Sequence, residues 1–103
     1  MSREDLKRVR LELIANHTVE EALMEELEKR NVGQRYTVIR TVEGAGTSGS
    51  RMGDGVWPEE NFLMILYASQ EEAEVIASAV REVKSLYPIE GIKLYSTPAH
   101  ELV

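Results

Sequence analysis

The chain contains no cysteine, which excludes disulfides, thiolate metal sites and cysteine nucleophiles. It has no apolar run approaching the roughly 20 residues of a membrane-spanning helix. It also lacks an excess of positive charge: 12 Lys and Arg stand against 18 Asp and Glu, for a net charge of -6. That balance argues against a general nucleic-acid binder, which needs basic residues to displace phosphate counterions. The opening residues Met1-Ser2-Arg3-Glu4-Asp5 are charged and carry no apolar segment of the kind a signal peptide needs, so the cytoplasm is the expected compartment. No HExxH, nucleophile elbow or isolated carboxylate pair occurs. No catalytic residue and no metal-ligand set is therefore assigned.

What is present fits one small globular domain spanning residues 1–103. Hydrophobic residues make up 43% and charged residues 29%, unlike a disordered chain. A domain of this length buries roughly two thirds of its unfolded surface, so association with further copies would help it.

Arg8 to Ala15 alternates with period two. Val9, Leu11 and Leu13 share one side, and Arg8, Arg10 and Glu12 share the other. The early basic cluster Arg3, Lys7, Arg8 and Arg10 is read as a solvated strand face. Thr18-Val19-Glu20-Glu21 has the form of a capping box. The helix after it places Val19, Ala22, Leu23 and Leu27 on one face, with Glu25–Lys29 and Glu26–Arg30 spaced as i,i+4 pairs on the other. Asn31-Val32-Gly33 supplies the stop. Arg35 to Glu43 is a second strand rich in β-branched residues. Phe62 to Ala68 is a third, apolar on both faces. Ser69-Gln70-Glu71-Glu72 is another capping box, and its helix carries Ala73, Ile76, Ala77, Val80 and Val83 at helical spacing. Pro88 ends that helix. Ile92 to Thr97 is a fourth strand, closed by Pro98. Ala99 to Val103 reads as a loose tail or an arm on a neighbouring subunit.

The order βαββαβ predicts an α+β, ferredoxin-like fold: a four-stranded antiparallel sheet with two helices on one face. The other sheet face is then uncovered. Strand three points apolar residues in both directions, and Val38 and Ile39 face opposite ways in strand two. An uncovered face this apolar predicts subunit packing through the sheet, the alternative being that the tail folds across it.

Residues 44–61 form the predicted long loop and hold five of the seven glycines. Gly44-Ala45-Gly46-Thr47-Ser48-Gly49 matches GxGxxG, but Gly53, Gly55 and Pro58 prevent the helix that a dinucleotide motif requires. A phosphate-binding P-loop needs Lys and then Ser or Thr after its last glycine, where this chain has Ser50-Arg51. A loop this long in a compact domain is usually functional or disordered. Gly44 and Gly46 allow close approach of a ligand to backbone amides. Trp57, the only tryptophan, either stacks on a ligand or partner or anchors the loop. His17 reads as a capping or surface residue, and His100 with Glu101 as a candidate for an intersubunit metal site. An RNA-binding domain shares the strand order, but Phe62 to Tyr67 contains no basic residue for its stacking platform.

Strand Tyr36 to Val42, the root Glu43-Gly44-Ala45-Gly46, the long loop, the apolar third strand, the helix and the last strand resemble the PII-type nitrogen-regulatory (GlnB-like) signalling proteins. The resemblance covers nearly the whole chain in layout and rests in residues on the GxG at the loop root. It implies a homotrimer that binds adenine nucleotides between subunits and contacts protein partners through the loop. Gly44, Gly46 and Lys93 carry over. The second glycine-rich basic segment does not, because Ser85 to Gly91 contains no lysine or arginine, nor do the arginines after the last strand. No tyrosine stands in the loop. On this reading Gly44, Gly46, Thr47 and Ser48 line a small-ligand site, and Arg51 or Lys93 neutralises an anionic group. Arg51, Asp54 and Trp57 face a partner. The alternatives are a divalent-metal-binding trimer like the CutA-type proteins, an enzyme with a site assembled across an interface, and an oligomeric domain with no small ligand.

Overall fold

The computed structural model describes residues 2–44 and 59–103. The chain opens with a single helical turn, α1 (Arg3–Leu6), and passes directly into β1 (Lys7–Asn16). A 3-10 turn (His17–Val19) leads to α2 (Glu20–Lys29). β2 (Tyr36–Gly44), β3 (Glu59–Ala68), α3 (Gln70–Leu86) and β4 (Ile92–His100) complete the chain. All pairings are antiparallel, in the order β2-β3-β1-β4. This is the ferredoxin-like sheet that the alternation and capping signals predicted.

Register explains which residues are inside. Leu11, Leu13 and Ala15 of β1 stand opposite Leu66, Met64 and Phe62 of β3. On the other side Leu13 and Ala15 meet Leu94 and Ile92 of β4. Side chains directly opposite share a face, so these rows form the floor of the core. Val19, Leu23 and Leu27 of α2 and its preceding turn, with Ala73, Ile76, Ala79, Val80 and Val83 of α3, close over it. Ala79 is buried where Ala77 was expected, with Ala77 only partly so.

The helix ends follow local chemistry. Ser69 caps α3 by accepting from the Glu72 N–H at 3.1 Å. At the C-terminal end of α2, Asn31 (φ 57) takes the left-handed conformation. The Val32 N–H donates to Leu27 O at 3.1 Å and the Asn31 N–H to Glu28 O at 3.0 Å, the paired bonds of a Schellman stop. Glu26–Arg30 closes as an ion pair at 2.8 Å; Glu25–Lys29 does not.

Several expectations need correction. Thr18 does not cap α2. Asn16 accepts from the Thr18 N–H at 2.8 Å and caps the 3-10 turn instead, because the chain leaves β1 through that tighter turn. β4 does not stop at Thr97 but runs through Pro98 to His100. Pro98 pairs opposite Val9 on an edge strand, where a missing N–H faces no further strand. Ala99 and His100 thus belong to the sheet rather than to a tail, and the Glu101 N–H is bonded to Leu6 O at 2.8 Å. Glu59, Glu60 and Asn61, placed in the loop from sequence, belong to β3. α1 was not foreseen. The Ser2 N–H donates to the Asp5 carboxylate at 3.1 Å and holds that turn.

Candidate functional site

The β2–β3 connection leaves the sheet at Gly44 and re-enters at Glu59, which are register partners. Its root therefore lies at the end of the sheet where β1 finishes and β4 begins. β2 is irregular on the way there. Ile39 pairs with Leu63 and Val42 with Asn61, so a bulge around Arg40 and Thr41 adds one residue to β2. A bulge bends its strand and re-aims the side chains at it.

Arg40 points from this bulge to the start of α2 and donates to Glu20 Oε2. Glu20 Oε1 lies 3.1 Å from His17 Nδ1. The Glu20 side chain is only 17% exposed while that of Arg40 is 60% exposed, so an enclosed carboxylate holds an accessible guanidinium. The His17 ring stands 6.0 Å from the ring of Phe62, a fully buried residue of β3. His17 is thus half-buried in a charged network and is not the cap or free surface residue expected.

Of the ligand residues proposed from sequence, Gly44 is the last residue of β2 and Lys93 is the second residue of β4. They stand on the two opposite edge strands, three strand spacings or roughly 14 Å apart. One chain does not bring them together. Gly46, Thr47, Ser48, Arg51, Asp54 and Trp57 lie outside the described residues. Lys93 borders a groove of about 430 Å³ between α3 and β4, together with Arg81 and Lys84. Lys84 Nζ donates to Ile92 O at 2.8 Å, which ties a helix cation to the start of β4. The end of α3 and the short turn after it expose Leu86, Tyr87 and Ile89.

The sheet face away from the helices carries Ile14, Leu63 and Ile65, all partly exposed, with Ile39 at 48%, Tyr67 at 52% and Tyr95 at 56%. The residues after β4, Glu101, Leu102 and Val103, border only one end of this face, and Leu102 is itself 79% exposed. At the end of this face remote from the loop root lies a groove of about 680 Å³. Arg8, Arg35, Tyr36, Tyr67 and His100 line it. Arg8 Nε pairs with Glu101 at 3.0 Å. Arg10 Nη1 donates to Tyr67 Oη at 2.6 Å, with its guanidinium 5.7 Å from the ring centroid. Hydrogen bonds to Glu12 first and to Tyr67 second hold Arg10 still more firmly protonated. Cations beside aromatic faces suit a flat ring carrying negative charge. Sequence reading missed this groove because its residues come from all four strands, from Arg35 just before β2 and from the residues after β4. Among the described residues, no group of three His, Asp or Glu is placed to hold a metal ion, and no helix is long and apolar enough to cross a membrane.

This ferredoxin-like architecture is shared with solved PII-like proteins. Solved structures match it closely in architecture. CPII of Thiomonas intermedia K12, a nitrogen regulatory PII-like protein solved with ADP and bicarbonate, superposes with a TM-score of 0.68 at 15% identity, covering 90% of this chain and 86% of that one. A PII-like signalling protein of Thermus thermophilus gives 0.64 at 24% identity, covering 91% and 88%. GlnK of Bacillus subtilis, in its ATP complex, gives 0.58 at 17%, covering 88% and 82%. No protein-family model and no curated protein matches the sequence. The chain is thus a divergent bearer of the fold, alike in architecture and far apart in residues.

Proposed function

We propose that this chain is a PII-like regulatory protein. It assembles as a homotrimer through its uncovered sheet face, binds an adenine nucleotide between copies, and contacts a protein partner through the loop of residues 44–61. The observation that carries this reading is the division of the candidate site. The loop root and Lys93 occupy opposite edges of the sheet, and the Arg- and Tyr-lined groove lies at the other end of it. A ligand touching two of these regions needs two copies of the chain. The exposed Ile39, Tyr67 and Tyr95, with the partly exposed Ile14, Leu63 and Ile65 of that face, support such packing. The nucleotide class is supported by relatives in fold solved with ADP and bicarbonate or with ATP.

Gly44 and Gly46 let the phosphates approach backbone amides, with Thr47 and Ser48 as further donors. Lys93 and Arg51 neutralise charge, and Arg51, Asp54 and Trp57 face the partner. Nucleotide binding shifts the loop between states only through differential affinity for them. The mechanism is a conformational switch, with no reaction catalysed.

A thermal-shift series with ADP, ATP, bicarbonate, 2-oxoglutarate and divalent metals tests the reading, beside sedimentation of the free protein. Nucleotide at 100 times its dissociation constant is expected to stabilise by about 2.7 kcal/mol, and Gly46→Trp is expected to abolish that shift. A shift with metal alone would overturn the nucleotide assignment in favour of a CutA-like metal protein. A monomer that binds ADP at full strength would overturn the intersubunit site.

A further inference from the structure

We infer that Arg40 is a ligand residue held in reserve: Glu20 occupies its guanidinium as an internal anion until the phosphate of a nucleotide displaces it. The inference deepens the nucleotide reading given above and rests on it. The motivating problem is charge. The turn after α3 carries no cation, and Lys93 stands on the far edge of the sheet from Gly44, so the described residues so far assigned to the phosphates put no cation of the same chain beside the loop root. Arg40 is the one cation that the described part of β2 places between its first residue and the loop root.

Three features equip it for exchange. The first is reach. Arg40 lies four residues before Gly44 on one strand, about 13 Å along an extended chain; an arginine side chain spans about half of that, and a diphosphate held at Gly44 extends across the remainder.

The second is freedom. Arg40 sits where the register between β2 and β3 shifts, so its backbone is released from the regular ladder that fixes Ile39. Its side chain is 60% exposed, and among the described residues its side chain bonds Glu20.

The third is the fate of the carboxylate left behind. Stripping an enclosed carboxylate of its sole partner is strongly unfavourable. Glu20 is not so stripped, because His17 Nδ1 remains 3.1 Å from its other oxygen. His17 in turn is held by its place on the 3-10 turn, capped by Asn16, and by the Phe62 ring. The network thus has two partners for one carboxylate, and only the exposed one is able to leave. Displacing Arg40 also frees the bulge from α2, which connects occupancy of the site to the strand that leads into the loop.

Calorimetric titration of ADP, inorganic pyrophosphate and adenosine into wild type, Arg40→Gln, Arg40→Lys and Glu20→Gln tests this, each variant first shown to melt cooperatively. Arg40→Gln is expected to weaken ADP and pyrophosphate about tenfold or more, the scale of one charged hydrogen bond. Arg40→Lys is expected to recover part of that loss. Glu20→Gln, which removes the competing charge, is expected to bind both probes several-fold more tightly than wild type. Adenosine is expected to respond to none of the changes. Wild-type ADP affinity in Arg40→Gln, or weakened affinity in Glu20→Gln, would overturn the exchange while leaving the nucleotide reading intact. Pyrophosphate binding that Arg40→Gln weakens, without ADP binding, would sink the nucleotide reading and keep the role of Arg40. Binding of neither probe would overturn both.

Discussion

The carboxylate of Glu72 accepts a hydrogen bond from the backbone N–H of Gly33 at 3.0 Å. It joins the first turn of α3 to the segment between α2 and β2. Glu72 was expected to reach back within its own capping box; it serves a neighbouring element instead, while Ser69 alone caps the helix. Glu72→Ala is therefore expected to destabilise the fold by about 1.5 kcal/mol, the worth of a hydrogen bond to a charged group, in urea denaturation. Glu72→Gln, which keeps an acceptor, should lose distinctly less. Equal losses would mean that the negative charge, not the bond to Gly33, matters.

Gly33 is constrained from two sides. It has φ +68, and a Cβ added there would stand 3.3 Å from Leu66 Cδ2 and 3.4 Å from Leu27 Cδ1. Gly33→Ala is expected to cost about 1–2 kcal/mol from the left-handed backbone alone. A shift of the urea midpoint with unchanged slope would be the signature; an unshifted midpoint would show that the segment relaxes into another conformation.

Leu13 is fully buried between Met64 and Leu94 in the middle of the sheet. Leu13→Ala is expected to destabilise by about 2–5 kcal/mol through lost transfer energy and a residual cavity. Thermal melts followed by circular dichroism report it. A loss below about 1 kcal/mol, roughly what a volume-conserving swap costs, would place Leu13 outside the core.

The uncovered sheet face should behave in the opposite way. Leu63→Glu and Ile65→Glu alter half-exposed side chains on the side away from the helices. If the proposed trimer packs through this face, each is expected to dissociate it while leaving the circular dichroism spectrum unchanged, and sedimentation velocity would resolve the species. Assemblies of wild-type size in both variants would move the subunit contact elsewhere.

Glu4 titrates below its ordinary value of 4.5, first because it accepts a hydrogen bond from Lys7 and then because of the charge on Lys7. A carboxyl depressed in the folded state adds stability that is present above its unfolded pKa and is lost as pH falls through its folded pKa. The contribution should thus fade below about pH 4.5, and Lys7→Met should return the Glu4 titration, followed by carbon-detected NMR, to the ordinary position. Glu4 is fully exposed, so the effect on global stability should be slight.

The parts of this fold that were legible in the sequence are those written as local periodicity. Leu11 and Leu13 declare their strand by alternation, Phe62 to Ala68 reads as a strand from its continuous apolar run, and Ser69 and Asn31 mark helix ends by their local preferences. What escaped depends on neighbours in space. Pro98 looks like a stop, yet it ends nothing, because only the tertiary position of β4 decides whether its missing donor matters. α1 carries a Ser-x-x-Asp signal in Ser2 and Asp5, but four residues offer no period to read. At the candidate site Gly44 was visible as a loop root. The Arg40–Glu20 pair was not, because it spans two elements and depends on a bulge, and bulges leave no mark in residue type. The groove of Arg8, Arg35, Tyr36 and Tyr67 draws on separate strands that only the sheet order brings together.

The separation of Gly44 from Lys93 across the width of the sheet bears on dose as well as on place. If occupancy needs both edges, every site is shared, and dilution dismantles sites before it empties them. Apparent affinity would then rise with the concentration of the chain itself. A cell making more of this protein would gain both more receptors and a keener response, so abundance would set the threshold at which the ligand is noticed.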